Sequence, residues 1–202
     1  KYFESQIVDA IFCYIAYTDY KLSKGPKQGI FPCYLLAVQP YIGPVVNAIN
    51  KDLLKGLIEK LETARQDKSI VSVILTGAGR AFCAGEDLKE TSAGKSFEDW
   101  IEETEGLQQV QRVVMDLAKP LIAAVRGYAL GGGCEFAMSC DIRIAAEDAQ
   151  FGFPEAEVGL TITTAGTKLL AQIVGLGKAN ELVFTGDFIG AQEALKVGLV
   201  NK

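Results

Sequence analysis

Two short apolar runs, SIVSVILTG at 69–77 and LIAAV at 121–125, each empty into a loop that carries glycine. Both are too short for buried helices, and their composition suits strands that are covered on both faces. Between and after them the periodicity changes. From Asn50, NKDLLKGLIEKLETARQD sets Leu53, Leu54, Leu57, Ile58 and Leu61 on one face at helical spacing, with Asn50 placed to cap. A second helix is predicted within 96–117, stopped by Lys119-Pro120, and a short one from about Cys134. DIRIAA at 141–146 reads as a third strand and AQFGFPEAEVGL at 149–160 as a further strand and turn, with helices again at 164–174, 178–184 and 191–197. Strands alternating with helices predict an α/β domain whose strands are largely parallel.

The first 46 residues do not follow this order. KGPKQGIFPCYLLAVQPYIGPVV at 24–46 mixes Pro26, Pro32, Pro40 and Pro44 with apolar runs, so any strand there is expected to be short or at an edge. The organisation read from the sequence is an atypical N-terminal segment at 1–46 and one core domain at 47–202. No repeat at a solenoid period and no low-complexity tract is visible.

Composition removes whole classes of function. With 49% hydrophobic and 22% charged residues the chain has an ordinary globular balance, and its net charge of −5 supplies no basic field for a nucleic acid. A small anionic ligand remains open, because a few well-placed lysines suffice to hold one. The five cysteines, Cys13, Cys33, Cys83, Cys134 and Cys140, are odd in number, follow no C-x-x-C spacing and lie in or beside apolar runs. They read as buried thiols in a reducing compartment, the bacterial cytoplasm or the mitochondrial matrix, and not as a disulfide framework. IVDAIFCYIAY at 7–17 carries Asp9 and is too short to span a bilayer, so no membrane role is expected. The chain opens at Lys1 without a methionine, which leaves both ends open to having been cut.

There is no histidine. That excludes Ser-His-Asp and Cys-His nucleophiles, histidine zinc sites and imidazole acid/base catalysis. Catalysis here falls to carboxylates, lysines, tyrosines or backbone amides.

The two glycine loops are CAGEDLK at 83–89 and GYALGGGCE at 127–135. In a parallel α/β sheet, loops at the carboxyl ends of neighbouring strands converge on one crevice. Glycine lets N–H groups come close to a ligand, and one amide from each loop makes an oxyanion hole. Phosphate-loop alternatives fail on spacing: GAGRAF puts Phe82 where G-x-G-x-x-G needs its last glycine, and no G-x-x-x-x-G-K-[ST] occurs. The plainer alternative is that Gly131, Gly132 and Gly133 only allow close helix packing.

The carboxylates weigh against packing alone. Glu135 stands in the first turn of an apolar helix, and Glu155 follows Phe151, Phe153 and Pro154. A carboxyl group in an apolar crevice has its pKa raised toward the range useful for proton transfer, and two of them can divide acid and base roles. The plainer alternatives are a Glu135 that answers its helix N-terminus and an exposed Glu155 in a turn. Glu157 competes for the second role, pointing the same way in a strand-like segment. Asp87 and Asp141 read as loop-holding residues, Lys89 as either a surface cation or a ligand contact, and Met115, Met138 and Trp100 as packing.

Together GRAFCAGEDLKE, KPLIAAVRGYALGGGCEFAMSCDIRIAAEDAQFGFPEAEVGL and LVFTGDFIGAQEALKVGLVNK resemble the crotonase superfamily, specifically its enoyl-CoA hydratase/isomerase family, over about 47–202. The resemblance implies the ClpP/crotonase-like fold of repeated β-β-α units, assembled as a homotrimer or a dimer of trimers. It implies an oxyanion hole from the amides of Glu86, third in A-G-x-D, and Gly132. It also implies an acyl-CoA site lined by Ala84, Glu86, Asp87, Leu88, Lys89 and Gly132, and a catalytic pair at Glu135 and Glu155. The implied reaction is hydration of a 2-enoyl-CoA thioester to 3-hydroxyacyl-CoA. In it Glu135 deprotonates the water that attacks C3 and Glu155 protonates C2. No metal or redox cofactor is implied, since CoA is the substrate's handle.

The chain departs from the family pattern in three places. GLTITTAGT at 159–167 replaces G-x-I-P-G-x-G-G-T, with Ile162, Thr163 and Thr164 where the Pro-Gly turn would be. No acid stands near Thr163, which argues against dienoyl-CoA isomerisation. Only NAIN at 47–50 represents the usual first turn, and the C-terminal helices of the family are absent after Lys202, as in a fragment. An isomerase that moves one proton between C2 and C4, and a non-catalytic acyl-CoA-binding subunit, are the competing functions.

Overall fold

The structure, a computed structural model, describes residues 47–87, 94 and 96–202 in full and the backbone of strand β1, Cys33–Val38. All elements named here belong to the unit Cys33–Lys202. Leu88 and Lys89 lie outside the described residues, as does the apolar run at 7–17.

The predicted buried strands form the centre of a four-stranded sheet. β2 (Ser72–Gly77) and β3 (Leu121–Val125) are interior, flanked by β1 and by β5 (Ile142–Ala145), in the order β1-β2-β3-β5 with every pairing parallel. All five residues of β3 are buried, as a strand covered on both faces requires. β1 is six residues long and lies at the sheet edge, where the proline-rich surroundings place it. Asp141 accepts from the Leu121 N–H at 2.8 Å and so holds the start of β3, the loop-holding role read for it.

A second, smaller sheet follows from what the chain does after each long strand. Beyond β3 it turns at Gly127 and lays down β4 (Tyr128–Leu130). β4 pairs in parallel with β6 (Gln150–Gly152), and β6 pairs antiparallel with β7 (Ile189–Gly190). Beyond β2 the equivalent piece is one residue, Cys83, which bridges Ala129, and before helix α1 it is Ile49, which bridges Glu86. Each unit then continues into a helix: α1 (Lys51–Gln66), α2 (Phe97–Asp116) and α3 (Gly132–Ser139). This β-β-α succession is the one that the resemblance implies.

α1 and α2 are capped as their sequences specify. The Asn50 side chain accepts from the Leu53 N–H at 2.8 Å, and Ser96 with Asp99 closes a reciprocal capping box. Leu54, Leu57 and Leu61 of α1 are buried, with Leu53 and Ile58 packed beside them, so the apolar face lies where the periodicity put it. α3 starts at Gly132, two residues before Cys134. The predicted helix at 164–174 is a π turn, Gly166–Leu170, running into α4 (Ala171–Val174), and α5 (Leu176–Thr185) and α6 (Ala191–Lys196) close the described chain.

Two expectations are corrected. Met115 is 75% exposed on α2 and packs no core, while Met138 is buried. Residues 154–158 form a 3₁₀ turn, not a strand-like segment, so Glu155 and Glu157 do not point the same way. Among the described residues no helix is long and apolar enough to cross a membrane.

Candidate active site

The site is built where the two glycine loops meet. Leu130 N–H donates to the Cys83 carbonyl at 3.0 Å and Cys83 N–H to the Tyr128 carbonyl at 2.9 Å, so the loops run side by side. Gly131 takes φ 51°, which a side chain tolerates poorly, and its N–H donates to the Gly152 carbonyl at 2.9 Å. At Gly133 an added Cβ would run into the Cys83 carbonyl, so this glycine sets how closely α3 docks on the first loop. Gly133 thus holds a packing role, distinct from the amide role expected of Gly132.

Gly132 and Glu86 share Ile49 as neighbour. The Ile49 N–H donates to the Gly85 carbonyl at 2.8 Å, the Asp87 N–H donates to the Ile49 carbonyl at 3.1 Å, and a Cβ on Gly132 would lie 2.7 Å from Ile49 Cδ1. One residue thus gathers both amides expected to face a thioester oxygen. Gly132 is also the first residue of α3, whose Gly131 cap provides no side-chain acceptor, so the helix end keeps donor capacity and a positive dipole. Ala84, Glu86 and Asp87 are half-buried along the same loop.

The carboxylates occupy different environments. Glu135 is 1% exposed. Its carboxylate does not turn back to its own helix end. Oε1 accepts from the Thr163 N–H at 3.0 Å, and Oε2 accepts from the Thr164 N–H at 3.1 Å and from the Thr164 hydroxyl. Gly166 lies against it, where a Cβ would be 2.6 Å from Oε1.

Glu155 is half-buried, its Oε2 has no hydrogen-bond partner, and its Oε1 lies 2.8 Å from where a Gly131 Cβ would be. Burial pushes its carboxyl up to about 7, with the negative charges of Glu135 and Glu86 adding to the rise. Glu157 is exposed and lies near Gly186, outside this group.

Cys134, beside Gly132, is no nucleophile: burial holds its thiol above the ordinary range, and burial likewise pushes Cys83 and Cys140 up to about 12. All three are free and buried, as their apolar settings imply.

Four contributors escaped sequence reasoning. Asn47 donates its side-chain amide to the carbonyls of Ala78, Ala81 and Phe82 at 3.0, 2.8 and 3.0 Å, anchoring the loop that carries Glu86. Ile49 bridges that loop to α3. Thr163 and Thr164, noticed only as a break in the family pattern, hold Glu135. NAIN was a trace of the first two. No local signal pairs Thr164 with a residue 29 positions away.

A carboxylate held by amide donors and a second carboxyl raised to about 7, on or beside glycine-bearing loops, are the groups that proton transfer next to an oxyanion calls for. The sequence profile of the enoyl-CoA hydratase/isomerase family matches residues 42–202, and the chain belongs to that family. It is 46% identical over 158 residues to a short-chain-enoyl-CoA hydratase of Clostridium acetobutylicum and 43% identical over 159 residues to a crotonyl-CoA hydratase of Syntrophomonas wolfei. Each match covers 78% of this chain and 60% of the relative. The crystal structure of an enoyl-CoA hydratase from Bacillus anthracis superposes with a TM-score of 0.73 at 41% identity, over 76% of this chain and 60% of that one. The chain thus spans about 60% of the length of the relatives it matches.

Proposed function

We propose that this chain carries the catalytic centre of an enoyl-CoA hydratase acting on a 2-enoyl-CoA thioester. The observation that carries the proposal is the contrast between the two glutamates: Glu135 accepts three hydrogen bonds, while Glu155 keeps an unpartnered oxygen and a carboxyl raised to about 7. Apolar burial favours the neutral form of Glu155, the acid, while the three donors fix where the Glu135 carboxylate points.

The thioester carbonyl oxygen sits between the amides of Glu86 and Gly132. Ala84, Glu86 and Asp87 line the acyl-CoA path. Glu135 takes a proton from water as the water oxygen bonds to C3, and the electron pair of the double bond moves toward the carbonyl, where the two amides stabilise it. Glu155 delivers its proton to C2, and the product is a 3-hydroxyacyl-CoA. The proton balance closes when Glu135 passes its proton on and Glu155 is reprotonated. The scheme uses no metal or redox cofactor, because CoA is part of the substrate.

The names of the relatives support the choice of hydration and of short acyl chains. Assembly as a homotrimer or dimer of trimers belongs to the same proposal, supported by Leu176 and Phe184, which are 67% and 76% exposed on α5. So does a place in the bacterial cytoplasm or the mitochondrial matrix.

The test supplies crotonyl-CoA and follows loss of the conjugated enoyl absorbance. Turnover is expected in the wild-type chain, and Glu135→Gln should lower kcat by about 10² or more while crotonyl-CoA still binds. A Glu135→Gln variant that hydrates at the wild-type rate would overturn the assignment. Binding without turnover in the wild type would favour an acyl-CoA-binding subunit.

A further inference from the structure

Glu135 accepts one more hydrogen bond than its two amide donors provide, and the extra one falls on a single oxygen. Oε1 has the Thr163 N–H at 3.0 Å; Oε2 has the Thr164 N–H at 3.1 Å and the Thr164 hydroxyl as well. A carboxylate offers about four lone-pair sites, two on each oxygen. The hydroxyl therefore fills Oε2 and leaves Oε1 with a site open. Gly166 adds to the asymmetry, since a Cβ there would lie 2.6 Å from Oε1 and its absence keeps that oxygen uncrowded.

We propose that Thr164 is a positioning residue: by saturating Oε2 of Glu135 it makes Oε1 the oxygen that takes the proton from water. The proposal rests on the hydratase function above and goes beyond it by selecting one of two chemically equal atoms. Two amides, one to each oxygen, cannot do this, because each oxygen is then left with one open lone-pair site and neither position is favoured. A hydroxyl on one side breaks the equivalence. A bond from a hydroxyl to an ionised carboxylate is among the stronger kinds, and the branched Thr164 side chain has few rotamers through which to lose it. The residue stands in TITTAG at 161–166, where this chain departs from the Pro-Gly turn of its family's pattern.

The experiment compares Thr164→Val, which removes the donor, with Thr164→Ser, which keeps it. Thr164→Val should lower kcat for crotonyl-CoA about tenfold, with KM within about twofold, because a misoriented base is a loss in the chemical step and not in binding. Thr164→Ser should return kcat to within about threefold of wild type, since its hydroxyl can make the same bond. A second arm is independent of turnover. The infrared difference between wild type and Glu135→Gln, with ¹³C-labelled glutamate, isolates the Glu135 carboxylate bands. Thr164→Val should shift the antisymmetric stretch, and Thr164→Ser should not. If Thr164→Val does not fold, Thr164→Ala removes the same donor and takes the same measurements. An unshifted band, an unchanged kcat, a rise in KM in place of the fall in kcat, or no rescue by serine would each overturn the proposal. Absence of crotonyl-CoA hydration in the wild type would instead sink the hydratase function, and the infrared arm would still decide whether the hydroxyl fixes Glu135.

Discussion

At the scale of the residue, the site turns on how differently two glutamates are solvated. Burial raises Glu155 from the ordinary 4.5 to about 7, so the folded chain binds a proton that the unfolded chain has released across that interval. The sign follows directly. The folded state holds more protons, so stability declines as pH rises from about 4.5 to about 7 and stays lower above it. Glu155→Gln, which cannot ionise, should therefore melt at a higher temperature than wild type at pH 8, and the gain should shrink toward nothing at pH 4. Thermal unfolding followed by circular dichroism at the two pH values checks this. An equal shift at both would mean the effect is packing and not proton linkage. The same ionisation gives activity a high-pH limb: kcat/KM for crotonyl-CoA should fall as pH rises through about 7, where Glu155 loses the proton it donates.

At the scale of the element, the long pieces of the fold were legible and the short ones were not. β2 and β3 announce themselves as apolar runs, and α1 as a leucine face, because each repeats its pattern for a full strand or several turns. The second sheet is made from β4 and β6 of three residues each, β7 of two, and single bridging residues at Ile49 and Cys83, which are too short to carry a period. The β-β-α repeat was accordingly available from family resemblance and not from hydrophobic pattern. Glu135 and Glu155 stood out as carboxylates in apolar stretches. Thr164 did not, since its partner is fixed by the meeting of two distant segments. Glycines test the distinction between spacer and contact. Gly133→Ala would drive a Cβ into the Cys83 carbonyl, so it should cost about 1–3 kcal/mol and weaken the α3 docking. Gly56 lies within α1 with open space around its Cα, so Gly56→Ala should stabilise by about 0.5–1 kcal/mol. Denaturant midpoints for the two variants should move in opposite directions, and a neutral Gly133→Ala would mean that the two loops are not in contact as described.

At the scale of the whole molecule, the proposed function makes folding and ligand binding one equilibrium. The amides of Glu86 and Gly132 come from separate units of the fold, joined through Ile49, so a thioester that engages both binds only the folded chain. A ligand present at a hundredfold over its Kd adds about 2.7 kcal/mol of stability. For a chain of this size that is a rise in Tm of roughly 5–10 °C. Crotonyl-CoA should therefore raise the Tm of the wild type, though turnover converts it during the scan. Glu135→Gln, expected to bind crotonyl-CoA and to hydrate it about 10²-fold more slowly or worse, should show the full shift with most of the substrate unreacted. Free CoA, which lacks the thioester oxygen, should give a smaller shift in both. If free CoA stabilises as much as crotonyl-CoA, the two loop amides contribute nothing to recognition and the oxyanion site is misassigned. If neither ligand shifts the melt, the described chain does not form a binding site alone, and the activity would belong only to a longer protein of the family.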